Sequence, residues 1–248
     1  MKILAMENST MSAKAMLYNT DTGKSSVMTK RYEEMHSDTT LHDPEAVFQK
    51  MMEVGRICSA GQKIDMIALS GTWHSVGLFQ QDFTPVTPIY LWSNTEASKI
   101  SRKYREDKAF AKRYYEMTGC MLKAHYPYFK LELLRQKGYA VNQYRIAGQG
   151  TYNNWRLIGK YAVTRSMASG SGCLNIHKKE YAKDLLEEIG VDSGKLPELV
   201  DYNETFPLTE DGAKLLGVTP GTPVLLSNPD GAMNQTGSGG LKSGVMTV

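Results

Sequence analysis

Residues 226–240, LSNPDGAMNQTGSGG, hold a single acidic side chain, Asp230, among small and flexible neighbours. The run Pro223-Val224-Leu225-Leu226-Ser227 before it reads as a strand, which puts Asp230 at a strand end, where binding groups of α/β folds collect. Taken alone, Pro229-Asp230-Gly231 is an ordinary turn. Gly237-Ser238-Gly239-Gly240 beyond it opens a second reading: small residues let a phosphate or substrate approach the backbone while a carboxylate reaches in as a base.

Upstream, residues 1–6 and 13–19 are short apolar runs around the polar hairpin Glu7-Asn8-Ser9-Thr10-Met11-Ser12, and Asp21-Thr22-Gly23 leads to a further strand. That pattern predicts an antiparallel meander. Asp43 is placed to cap a helix opened by Pro44, with Val47, Met51, Met52 and Val54 on one face. The runs 64–69, 76–79 and 88–91 have strand length and are expected to share a sheet. Residues 95–117 are dense in charge and predict an exposed helical stretch in two pieces, ended by Gly119. Further helices are expected at 128–136, 152–158 and 180–189, and another runs from the cap Thr209 to Gly217. The mixture predicts an α/β domain with a mixed sheet flanked by helices and carrying a helical insertion.

The chain has 248 residues, 41% of them hydrophobic, enough for one sizeable core or two small ones. Its net charge of +3 is small, and Lys and Arg are spread along the chain without forming a stripe. A nucleic-acid partner is therefore not expected, and neither is a membrane one, since no segment approaches a membrane span. Cys58, Cys120 and Cys173 are odd in number and lack metal spacing, which fits small buried or half-buried side chains and a cytoplasmic location.

Two further stretches could carry chemistry. In Ser70-Gly71-Thr72-Trp73-His74-Ser75, an aromatic ring beside an imidazole after a strand suits a sugar face and its hydroxyls, or else serves as a structural pair. In Trp92-Ser93-Asn94-Thr95-Glu96, Asn94 or Thr95 is a natural helix cap.

In this order the stretches resemble the N-terminal domain of the FGGY carbohydrate kinases over nearly the whole chain. The resemblance rests on residues 7–19 as a first phosphate loop and strand, residues 67–74 ending in a histidine, residues 88–92, Thr118-Gly119-Cys120 with Tyr126-Pro127 and Lys130-Leu131, Ser166-Met167-Ala168-Ser169-Gly170-Ser171-Gly172, Leu196-Pro197-Glu198-Leu199-Val200, and Gly221-Thr222-Pro223-Val224. The Trp73-His74-Ser75 and SMASGSG forms resemble the gluconokinase-like branch most. The resemblance implies a ribonuclease-H-like domain of the actin/hexokinase superfamily spanning residues 1–248. It implies ATP and Mg²⁺ as cofactors and a small-molecule sugar or sugar acid as substrate, with Asp230 as catalytic base and Trp73, His74 and Asn94 on the substrate. Glu7, Ser9, Thr10 and Lys14 would form the phosphate loop, with Glu7 and Asp230 meeting the metal through water. It also implies that a C-terminal nucleotide-binding domain lies outside this chain; self-association into a homodimer stays open. Glu7 and Ser9 stand where the family usually has Asp and Gly, and Asn94 and Glu96 where it has Asp and Arg. A non-catalytic sugar-binding or regulatory protein is accordingly the rival expectation.

Overall fold

A computed structural model describes residues 1–32 and 38–245; Met246, Thr247 and Val248, the end of the expected domain, lie outside the described residues. The chain opens with β1 (Lys2–Asn8), β2 (Ser12–Asn19) and β3 (Ser25–Arg31), followed by β4 (Leu41–His42) and α1 (Pro44–Ser59). The Asp43 side chain accepts from Ala46 N–H at 2.8 Å, and Pro44 opens the helix, as expected. Next come β5 (Met66–Gly71), β6 (Gly77–Phe79), β7 (Ile89–Tyr90), α2 (Ser98–Glu106), α3 (Lys108–Thr118) and α4 (Pro127–Gln136). Gly119, at φ 67°, ends α3 by donating to Tyr115 O, a left-handed position that glycine fills without strain.

Then follow β8 (Arg145–Ala147), α5 (Gln149–Ile158), β9 (Ala162–Thr164), α6 (Arg165–Ser169), β10 (Leu174–Asn175), β11 (Glu180–Tyr181) and α7 (Lys183–Glu188). The chain closes through β12 (Glu198–Val200), β13 (Thr205–Pro207), α8 (Glu210–Leu216), β14 (Pro223–Pro229) and α9 (Asp230–Gly237). Thr209 caps α8 and Gly217 ends it.

The central sheet has the order β13-β14-β5-β1-β2-β3. β1, β2 and β3 form the predicted antiparallel meander, and β5 lies parallel to both β1 and β14. Helices α1, α5 and α8 cover one face of this sheet, where Leu4, Met6, Phe48, Met51, Ile67 and Leu216 form the main core. A second core, built on Tyr114, Tyr128, Phe129, Leu131 and Leu185, holds together α2, α3, α4 and α7. This is the mixed sheet with flanking helices and helical insertion expected from the sequence.

Three expectations need correction. The runs 76–79 and 88–91 do not join the central sheet: β6 pairs with β8, and β7 with β4, and the two runs straddle the cores, with Phe79, Ile89 and Leu91 in the first and Val76, Leu78 and Tyr90 in the second. Residues 180–189 are not one helix. Glu180 and Tyr181 pair with β10, Tyr181 Oη donates to Pro197 O at 2.7 Å, and the helix begins only at Lys183. Neither Asn94 nor Thr95 caps α2, whose N-cap is Ala97 with no side-chain bond. Among the described residues, no helix is long and apolar enough to cross a membrane.

Candidate active site

The register of the parallel strands sets the site. Asn8 of β1 and Pro229 of β14 both lie beside Gly71 of β5, so the chain leaves all three strands at the same edge. Asp230 is the next residue after β14 and the first of α9, so it begins a helix instead of forming a free turn. Its Oδ1 accepts from Gly231 N–H at 2.8 Å and, more weakly, from Trp73 N–H at 3.4 Å. Oδ2 makes no hydrogen bond among the described residues, which leaves a half-buried carboxylate with a lone pair to offer.

Beyond β5 the backbone turns sharply, with His74 in the left-handed region at φ 58°. The Trp73 and His74 rings stack with centroids 4.8 Å apart and planes 13° apart. Trp73 Nε1 donates to Met167 O at 3.0 Å and His74 Nδ1 donates to Gly170 O at 2.6 Å, so both rings are pinned to the α6 turn. Because a carbonyl can only accept, the proton of the neutral imidazole sits on Nδ1 and Nε2 is left as an acceptor. Burial lowers the His74 pKa, against the opposing pull of the Gly170 carbonyl, which favours that neutral form. Gly170 is required here for space: a Cβ would collide with the Trp73 indole.

The first loop lies at the same edge. Ser9 Oγ donates to Ser12 O at 3.0 Å, closing the hairpin, and Thr10 Oγ1 accepts from Trp92 Nε1 at 3.0 Å. Lys14 stands opposite Glu7 in the β1–β2 register, and the two form an ion pair at 2.9 Å. Among the described residues, no three His, Cys, Asp or Glu side chains gather as a metal cluster. Asn94 does not face the open site. It is 2% exposed, and its amide donates to Thr40 Oγ1 and Glu96 Oε1, so it shapes its own turn.

Three residues here had no site role in the sequence reading. The His125 ring lies 5.2 Å from that of His74, and Tyr126 meets His74 edge-on at 5.0 Å. Burial, with help from the nearby His74 and Lys130, pushes His125 down to about 4. Lys130 is wholly buried. All three belong to the Tyr126-Pro127…Lys130-Leu131 motif or its flank, so the signal lay in the quoted pattern. Trp92, Ser93, Arg102, Arg105, Lys123 and His125 help to line a cleft of about 490 Å³ beside them.

A carboxylate at the end of a parallel strand, an aromatic–imidazole pair beside it and a three-stranded meander on the other flank define a ribonuclease-H-like domain, the fold of actin and hexokinase. Residues 2–237 match the FGGY family of carbohydrate kinases, N-terminal domain, and the chain belongs to that family. It is 25% identical over 216 residues to the gluconokinase of Bacillus subtilis (strain 168), covering 85% of this chain and 42% of that protein. It is 24% identical over 259 residues to the xylulose kinase of Streptomyces rubiginosus, covering 93% of this chain and 53% of that one. The crystal structure of gluconate kinase from Lactobacillus acidophilus superposes with TM-score 0.86 at 25% identity, over 94% of this chain and 48% of that chain. The chain thus spans about half the length of the relatives it matches.

Proposed function

We propose that this chain is the sugar-binding N-terminal domain of an ATP-dependent kinase that phosphorylates a hydroxyl of a sugar or sugar acid, gluconate- or xylulose-like. The observation that carries the reading is Asp230, anchored through Oδ1 and open at Oδ2 beside the Trp73–His74 pair. In this role the carboxylate takes the hydroxyl proton as the hydroxyl oxygen bonds to the γ-phosphorus of ATP. The bond from that phosphorus to the bridging oxygen breaks and ADP leaves. His74 Nε2 accepts a hydrogen bond from a neighbouring hydroxyl, and the Trp73 indole offers apolar surface to the sugar face.

A magnesium ion suits what is present. It binds through one or two carboxylates while keeping waters and phosphate oxygens, and Asp230 and Glu7, the latter ion-paired with Lys14, are the carboxylates that would meet it through water. When bound it would neutralise phosphate charge. Ser9, Thr10 and Lys14 make up the loop proposed to face the phosphates, and a C-terminal nucleotide-binding domain beyond this chain would supply the rest of the ATP site. Three unpaired thiols fit a cytoplasmic setting.

The cleft beside His125 favours a sugar acid over a neutral polyol, because Arg102, Arg105 and Lys123 line it without an ion-pair partner among the described residues. A thermal-shift screen of this chain against gluconate, xylulose and glycerol tests the reading, since a ligand at 100 times its Kd adds about 2.7 kcal/mol. Gluconate is expected to give the largest shift, and no shift with any of the three would count against the proposal. The rival, a sugar-binding protein without phosphoryl transfer, predicts the same shift but no ATP-dependent product from the two-domain protein.

A further inference from the structure

Lys130 of α4 has 0% exposure and, among the described residues, no carboxylate partner. Its ammonium instead donates to three main-chain carbonyls: Leu91 at 2.6 Å, His125 at 2.8 Å and His74 at 3.1 Å. An ammonium has three protons, and all three are used. The carbonyls come from three separate segments. One carries Trp73 and His74 after β5, one leads into Trp92, Ser93 and Asn94, and one carries His125 and Tyr126 before α4. Each segment is irregular at these positions, so few main-chain ladder bonds hold them to one another.

Burying an ammonium without a counter-charge is costly even when its protons are hydrogen-bonded, and a methionine of the same length would fill the space without that cost. What the ammonium adds is a single point at which three loops converge. We infer that Lys130 is the positioning residue of the sugar pocket, fixing the left-handed turn at His74, the Trp92 turn and the His125–Tyr126 segment as one wall. The inference rests on the proposed function for the meaning of that wall, but not for its existence.

Burial holds the Lys130 amine down to about 7. A neutral amine has two protons for three carbonyls, so raising the pH past this value frees one segment. The titratable groups facing Lys130 from the loops are His74, His125 and Tyr126. Burial favours the neutral form in all three, lowering the imidazoles and raising the phenol, so none of them gains charge in that window. On the Trp92 segment Glu96 is paired with Lys137, and on α4 itself Glu132 is paired with Arg135.

The test is hydrogen–deuterium exchange on this chain without ligand, corrected for intrinsic exchange, in wild type and Lys130→Met, at about pH 6 and about pH 8.5 to bracket the titration. Calorimetric titrations with gluconate and with xylulose run alongside. In Lys130→Met, residues 72–76, 91–96 and 121–126 are expected to lose about tenfold in protection while the central sheet keeps its own, a local opening and not a global one. The wild type should show the same selective loss at the higher pH, a measurement that stands even if the variant does not fold. Sugar affinity should fall about tenfold in step, and Lys130→Met should show no further fall with pH. Equal loss of protection across sheet and loops, or no change in the wild type between the two pH values, would overturn the inference. Selective loop opening with neither sugar bound would uphold the tie and sink the functional reading instead.

Discussion

Asp230→Asn keeps the side chain's shape and its bond to Gly231 N–H but removes the base. In a protein that joins this chain to the proposed nucleotide-binding domain, kcat should fall by roughly two to four orders of magnitude while sugar affinity changes much less, as steady-state kinetics and calorimetry can show. A variant keeping more than about a tenth of wild-type kcat would return Asp230 to a plain helix-start residue. Gly170→Ala acts on the neighbouring ring pair, since its methyl group and the Trp73 indole cannot share the space. It should cost about 1–3 kcal/mol by overpacking, measured by urea denaturation, and shift the tryptophan emission. Unchanged emission together with unchanged stability would contradict the packing described here. The placing of Asp230, Trp73 and His74 at strand ends was legible in the sequence because strand ends and flexible flanks have local signatures. Lys130 was visible only as one letter of a motif, because its three partners are main-chain oxygens from distant segments that no side-chain pattern encodes.

Within the helical insertion, Tyr114 of α3 stacks against Phe110 and tilts against Tyr128 and Phe129, yet its buried hydroxyl has no hydrogen-bond partner among the described residues. An unmet hydroxyl in an apolar core costs free energy. Tyr114→Phe is therefore expected to leave stability unchanged or raise it by up to about 1 kcal/mol, and a clear loss in thermal or urea unfolding would reveal an unseen partner. The elements with capping chemistry, α1, α3 and α8, were legible to within a few residues, since Asp43, Gly119, Thr209 and Gly217 act locally. The runs at 76–79 and 88–91 were legible as strands but not as members of two small separate sheets, because which sheet a short apolar run joins depends on partners such as Ile146 and Leu41. Helical propensity at 180–182 loses to the pairing of Tyr181 with Leu174 and its hydroxyl bond to Pro197 O, a tertiary override.

For the whole molecule, the proposed function predicts that this chain alone binds sugar but turns over no measurable ATP, because positioning supplies most of the catalysis in phosphoryl transfer and the proposed nucleotide-binding domain would supply half of it. Sugar-dependent ADP release by the purified 248-residue chain, with contaminating kinases excluded, would contradict this. The order of motifs along the sequence made the class of fold legible, whereas the second core did not show itself, since nothing local separates its apolar residues from those of the first. The placing of β14 has a consequence for how the protein is made. Val224 pairs with Ile67 across most of the chain, so a nascent chain has β1, β2, β3 and β5 in hand long before β14 emerges from the ribosome. Until then one rim of β5 stays unpaired beside an apolar core, an invitation to join another chain. The segment that delivers the acidic group is thus the same one that seals the sheet, and a chain stopped at about residue 220 should lose solubility together with sugar binding, with light scattering as the readout.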